Sequence, residues 1–120
     1  MKTVLVVEDD AHIRRVLRTL LENEGYAVVE AADGMEGLAR ALEAPPTCLL
    51  TDTMMPRMDG LTLLQHLKAR NLGVPVFVVS AASSLPPAEE LQALGVLRVF
   101  AKPFDFDALL TAIRETCGPT

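Results

Sequence analysis

Five short apolar runs alternate with five stretches of helical periodicity, and that alternation leaves few folds open to the chain. Val4-Leu5-Val6-Val7, Cys48-Leu49-Leu50-Thr51 and Val76-Phe77-Val78-Val79 are apolar in consecutive positions, as strands buried on both faces of a parallel sheet must be. Strands are expected near 3–7, 26–30, 47–51, 75–80 and 97–101. Between them lie apolar stripes at helical spacing. The first is Ile13, Val16, Leu17, Leu20 and Leu21, ending near Gly25, and the second is Met35, Leu38 and Leu42, ending before Pro45-Pro46. The third, Leu61, Leu64 and Leu67, follows Gly60 and stops near Asn71 and Gly73. The fourth begins at Pro86-Pro87 and uses Leu91 and Leu94, and the fifth carries Phe106, Leu109, Leu110, Ile113 and Cys117. Right-handed crossovers turn such a repeat into a doubly wound α/β sandwich of five parallel strands and five helices. The second strand, Tyr26 to Glu30, is the most polar and is expected at an edge.

At 120 residues the chain matches one domain, burying roughly two-thirds of its unfolded surface. No apolar run approaches the ~18 residues of a membrane span. Met1-Lys2-Thr3 leads straight into the first strand without a cleavable leader pattern, so a cytoplasmic location is expected and membrane association is not. A net charge of −5, with 11 scattered Lys and Arg, argues against direct nucleic-acid binding. Cys48 and Cys117 lack metal or redox spacing and read as two reduced thiols without a role.

Polar residues gather where the apolar runs end. Glu8, Asp9 and Asp10 follow the first run and Asp52 the third, and open α/β sheets bind ligands at the carboxyl ends of their strands. Carboxylates crowded into one crevice repel one another, a situation a hard divalent cation relieves. Ser80 and Lys102, ending the fourth and fifth runs, add a hydroxyl and a cation suited to phosphate. The segment from Ala81 to Pro87, beside Ser80, is the one loose stretch and a candidate gate.

Four segments together resemble the receiver domains of two-component response regulators. They are Val4-Leu5-Val6-Val7-Glu8-Asp9-Asp10, Thr51 to Gly60 (TDTMMPRMDG), Val79-Ser80-Ala81 and Ala101-Lys102-Pro103-Phe104, in the family's order and near its spacings. The likeness covers the whole chain. It implies a flavodoxin-like sheet of order 2-1-3-4-5 and a single receiver domain over residues 1–120. The function it implies is a phosphorylation-dependent switch, not a turnover enzyme, that takes a phosphoryl group from a histidine kinase or phosphotransfer protein and then changes affinity for an output partner. That partner, and whether the chain stands alone or was excised from a longer protein, stay open.

The resemblance assigns Asp52 as phosphoacceptor, and a carboxylate forming an acyl phosphate is a known form of covalent catalysis. It implies Mg²⁺ held directly by Asp9 and Asp52, by Glu8 through water, and by the backbone carbonyl of Met54. Lys102 would pair with Asp52 and then with a phosphoryl oxygen, its side chain aimed forward by the extended backbone that precedes Pro103. Ser80 would donate its hydroxyl to the phosphoryl group. Asp10 reads instead as the N-cap of the first helix, His12 and His66 as surface or cap residues, and Met55 and Met58 as core or turn filling.

A haloacid dehalogenase-type phosphatase also places a nucleophilic Asp after a parallel strand, but it needs a general-acid Asp two residues on, where this chain has Met54. A flavodoxin-like cofactor carrier would meet repulsion from Glu8, Asp9 and Asp10, and a static binding module would not require the full set of site groups. Met54 and Ala82, which flank the phosphoryl group by analogy, cannot orient an attacking water. Val99 stands where many receivers have an aromatic ring, and Phe100 should face the opposite side of the sheet. Activation is therefore expected to be read mainly through Ser80 and the loop after it.

Overall fold

Consecutive apolar residues can be buried only if helices cover both faces of the sheet, and that is the arrangement seen in a computed structural model, which describes residues 2–53, 55, 57–81 and 85–118. The elements alternate strictly: β1 (Thr3–Val7), α1 (Ala11–Asn23), β2 (Ala27–Ala31), α2 (Gly34–Glu43), β3 (Cys48–Thr51), α3 (Gly60–Ala69), β4 (Val76–Ser80), α4 (Ala88–Ala93), β5 (Val96–Ala101) and α5 (Phe106–Cys117). All pairings are parallel and the strand order is β2-β1-β3-β4-β5. The order, the edge position of β2 and every strand match the sequence reading to within a residue or so. Among the described residues, no helix is long and apolar enough to cross a membrane.

Side-chain alternation along the strands divides the core in two. Val4, Val6, Cys48, Leu50, Phe77 and Val79 pack beneath α1 and α5, whereas Leu5, Val7, Leu49, Val76 and Val78 pack beneath α2, α3 and α4. The bends are local: Gly25 and Gly95 adopt φ of 95° and 89°, where a Cβ would be strained, and each leads from a helix to its next strand.

Two helical stripes differ from the expectation. In α1 the buried line is Leu17 and Leu21, with Ile13 half-buried, while Val16 faces solvent. Positions four apart stay over the sheet, and their neighbours one residue back rotate away from it. In α2 the large residues are outside, Met35 being 52% and Leu42 46% exposed, and the buried residues are Gly34, Gly37 and Ala41. The helix sits too close to β1 for bulk: a Cβ on Gly37 would lie 2.9 Å from Val7 Cγ2. Met55 and Met58, by contrast, pack against the second core cluster as filling.

β5 carries an irregularity. Val76 pairs with Val96 but Phe77 with Arg98, so Leu97 is an extra residue that interrupts the alternation. Beyond it Phe100 joins the α1 and α5 side of the core, with the Arg98 guanidinium 4.6 Å from its ring centre. Val99 is 38% exposed and Phe100 only 7%, so the two adjacent side chains do point apart. The Cys48 and Cys117 thiols, far apart in sequence, are neighbours in the α1 and α5 half of the core, where burial and the Cys117 thiol push the Cys48 thiol up.

Candidate functional site

The site lies one step beyond the strands, where the ladders run on into the loops. Glu8 N–H donates to Ala31 O (3.0 Å), Asp52 N–H to Val7 O (3.1 Å) and Lys102 N–H to Ser80 O (2.9 Å). Each polar side chain is therefore carried on backbone held by the sheet. Ligand oxygens of Glu8, Asp9 and Asp52 lie within 4.8 Å of one another, Glu8 and Asp52 buried and Asp9 exposed. Lys102 enters from β5 and donates to Asp52 Oδ2 (2.7 Å) and Glu8 Oε1 (2.6 Å). The pairing with Asp52 was expected; the second bond to Glu8 was not. The Lys102–Pro103 peptide bond is cis.

Burial works against the Lys102 ammonium, but its hydrogen bonds to Asp52 and Glu8 outweigh that and hold its pKa above the ordinary value. Burial pushes the Glu8 carboxyl up, opposed by the hydrogen bond from Lys102 and the Asp10 backbone N–H. Asp10 itself turns away from the cluster. Its Oδ1 accepts from His12 N–H (2.9 Å) and Ile13 N–H (3.1 Å), capping α1 as expected. His12 is exposed on α1, and the half-buried His66 lies beside Arg70 on α3.

Ser80 ends β4, buried, with its Oγ 2.6 Å from Thr53 Oγ1. Thr53 N–H in turn donates to Asp52 Oδ1 (2.6 Å). Thr53 was not singled out from the sequence. The β3–β4 register, Thr51 opposite Val78, places Thr53 opposite Ser80 when continued by two residues. The available signal was a hydroxyl residue directly after Asp52, but it meant nothing until the register was known. Met54 and Ala82, with the carbonyl assigned to Met54 and positions 83 and 84 of the loop after Ser80, lie outside the described residues.

Two supports behind the site were also invisible in the sequence. Asp33 caps α2 through Glu36 N–H and forms an ion pair with Arg57 in the loop after β3. The cap hydrogen bond first, and then Arg57, hold the Asp33 carboxyl below its usual range against the effect of burial. Arg57 adopts a φ of 65°, a left-handed conformation uncommon for a side chain of its size. Gly60 opens α3 against the Asp52 backbone, and a Cβ there would collide with the Asp52 carbonyl. Gly60→Ala is expected to destabilise the fold by about 1–3 kcal/mol in urea titration, as forced overpacking does.

The other support is a chain of charges reaching Glu8 from the sheet edge. Arg14 donates to the Glu8 carbonyl (2.7 Å) and to Glu30 on β2 (3.1 Å), and Glu30 also accepts from Arg18 (2.6 Å). The Arg18 hydrogen bond, reinforced by Arg14, outweighs burial and holds the Glu30 carboxyl below its ordinary 4.5. A depressed folded pKa contributes stability above the ordinary value that is lost as pH falls through the depressed one. Thermal melts between about pH 3 and 7 should accordingly show wild type losing stability more steeply below about 4.5 than Glu30→Gln. Parallel curves would remove the charge clamp.

Comparison with known proteins agrees with this geometry. The model of the response regulator receiver domain matches residues 4–114. Sporulation initiation phosphotransferase F of Bacillus subtilis is 33% identical over 112 residues, covering 93% of this chain and 90% of that protein. The chain spans only 49% and 26% of two transcriptional regulatory proteins it also matches, from Bacillus subtilis and Salmonella typhimurium. A solved receiver domain of the Francisella response regulator 1452 superposes with a TM-score of 0.89 at 31% identity, covering 98% of this chain and 97% of that one. The response regulator TrrA of Thermotoga maritima, solved in complex with Mg(2+)-BeF, superposes with a TM-score of 0.86 at 26% identity, over 97% of this chain and 99% of that one. The chain described here belongs to the response regulator receiver domain family.

Proposed function

We propose that residues 1–120 act as one receiver domain in which Asp52 accepts a phosphoryl group from a histidine kinase or phosphotransfer protein, in the cytoplasm. The observation that carries this reading is the Lys102 ammonium bonded to Asp52 Oδ2 at 2.7 Å, beside the Glu8 and Asp9 carboxylates. The Asp52 carboxylate attacks phosphorus, the P–O bond forming as the P–N bond to the donor imidazole breaks. Lys102 then follows the charge from the carboxylate to a phosphoryl oxygen, and Ser80 donates its hydroxyl to another. The three carboxylates form a donor set of hard oxygens that fits Mg²⁺, which Asp9 and Asp52 would hold directly and Glu8 through water. When bound, Mg²⁺ supplies positive charge against that developing on the phosphoryl oxygens.

Such a domain is a signalling switch, changed by a covalent charge and reset slowly. The output is read through Ser80 and the loop that follows, because Val99 offers no ring to swing inward and Phe100 is committed to the core. The output partner contacts that surface. Covalent labelling by acetyl phosphate in the presence of Mg²⁺, lost in Asp52→Asn, tests the assignment. Turnover of phosphate esters would favour a phosphatase instead.

A further inference from the structure

Thr53 and Ser80 are both buried, and their hydroxyl oxygens are 2.6 Å apart, at the short end of the O–H···O range. Ser80 is the last residue of β4, and Thr53 lies two residues past the end of β3, whose pairing with β4 ends at Thr51 opposite Val78. The Thr53 N–H also holds Asp52 Oδ1, so one residue touches the phosphoacceptor through its backbone and the donor hydroxyl through its side chain. We propose that Thr53 is a positioning residue that holds the Ser80 hydroxyl in a resting seat, and that phosphorylation exchanges the Thr53–Ser80 hydrogen bond for one from Ser80 to a phosphoryl oxygen. This rests on Asp52 being the phosphoacceptor.

Either hydroxyl can donate in the resting pair, and in both cases a Ser80 side chain held in that rotamer must leave it to aim its proton at a phosphoryl oxygen. The resting bond therefore sets a threshold: whatever it contributes to the unmodified state is lost when Ser80 turns to the phosphoryl group. Thr53 acts through Ser80 and not on the reacting atoms.

The test is calorimetric titration of the full chain with beryllofluoride at saturating Mg²⁺, which mimics the phosphorylated state. Thr53→Val, which keeps the branched shape but removes the hydroxyl, should bind beryllofluoride about 3- to 10-fold more tightly, the range a net hydrogen bond covers. Thr53→Ser should restore the wild-type affinity. In a Ser80→Ala background Thr53→Val should have no effect, because the bond it removes is already gone. Affinity unchanged or weakened in Thr53→Val, tightening in Thr53→Ser, or an effect that survives in Ser80→Ala would each overturn the proposal. If Thr53→Val does not fold, the Thr53 methyl signal of the unmodified protein decides. It should shift on adding beryllofluoride, and a signal that stays in place while Asp52 responds overturns the exchange. No beryllofluoride binding by wild type would instead overturn the phosphoacceptor reading on which the proposal stands.

Discussion

Incubated with acetyl phosphate and Mg²⁺, the protein is expected to gain one phosphoryl group per chain, and Asp52→Asn to gain none. Glu8 and Asp52 are both buried and both bonded to Lys102, and Asp52 also accepts from the Thr53 N–H, so a phosphoryl group placed on it would meet a cation at once. Intact-mass spectrometry reads the outcome directly, and the adduct should be stable in acid and labile in base, as an acyl phosphate is. Lys102→Ala should still label, at an initial rate lower by about 100-fold, the cost of removing one preorganised electrostatic partner. Undiminished labelling of Asp52→Asn would refute the nucleophile assignment.

Mg²⁺ should raise the melting temperature of the wild type and leave that of Asp9→Ala nearly unchanged. Glu8, Asp9 and Asp52 repel one another in a partly buried crevice, and Lys102 offsets only part of that repulsion. At tenfold excess over its dissociation constant, a ligand of the folded state adds about 1.4 kcal/mol, roughly 5 °C for a domain of this size. Without metal, Asp9→Ala should melt above wild type, because one of the repelling charges is gone. Differential scanning calorimetry with and without the ion checks both signs. A full Mg²⁺ response in Asp9→Ala would remove Asp9 from the metal site.

Much of this site was readable before any coordinates. Glu8, Asp9, Asp52, Ser80 and Lys102 all end apolar runs, and a parallel α/β sheet gathers the carboxyl ends of its strands along one rim, where the structure places these five side chains. Asp10 as a helix cap followed from its place before a helical stripe. The readings that failed concern which large residues face inward. Met35 and Leu42 have the spacing of a core stripe, yet α2 approaches β1 through Gly34, Gly37 and Ala41. Hydrophobicity alone does not report how closely two elements approach.

The period of the apolar residues and the chemistry at the run ends are local properties, so element types, fold class and the residues of the rim follow from them directly. Who touches whom across the rim is not local. The Ser80 hydroxyl meets Thr53, Lys102 bonds Glu8 as well as Asp52, Arg57 pairs with Asp33, and Cys48 meets Cys117. Each of these pairs joins parts of the chain separated by at least one helical crossover. Their alignment depends on the relative register of parallel strands and on how deeply each helix settles. Those quantities emerge from packing the two core clusters at once, because no short segment carries the free energy that fixes them.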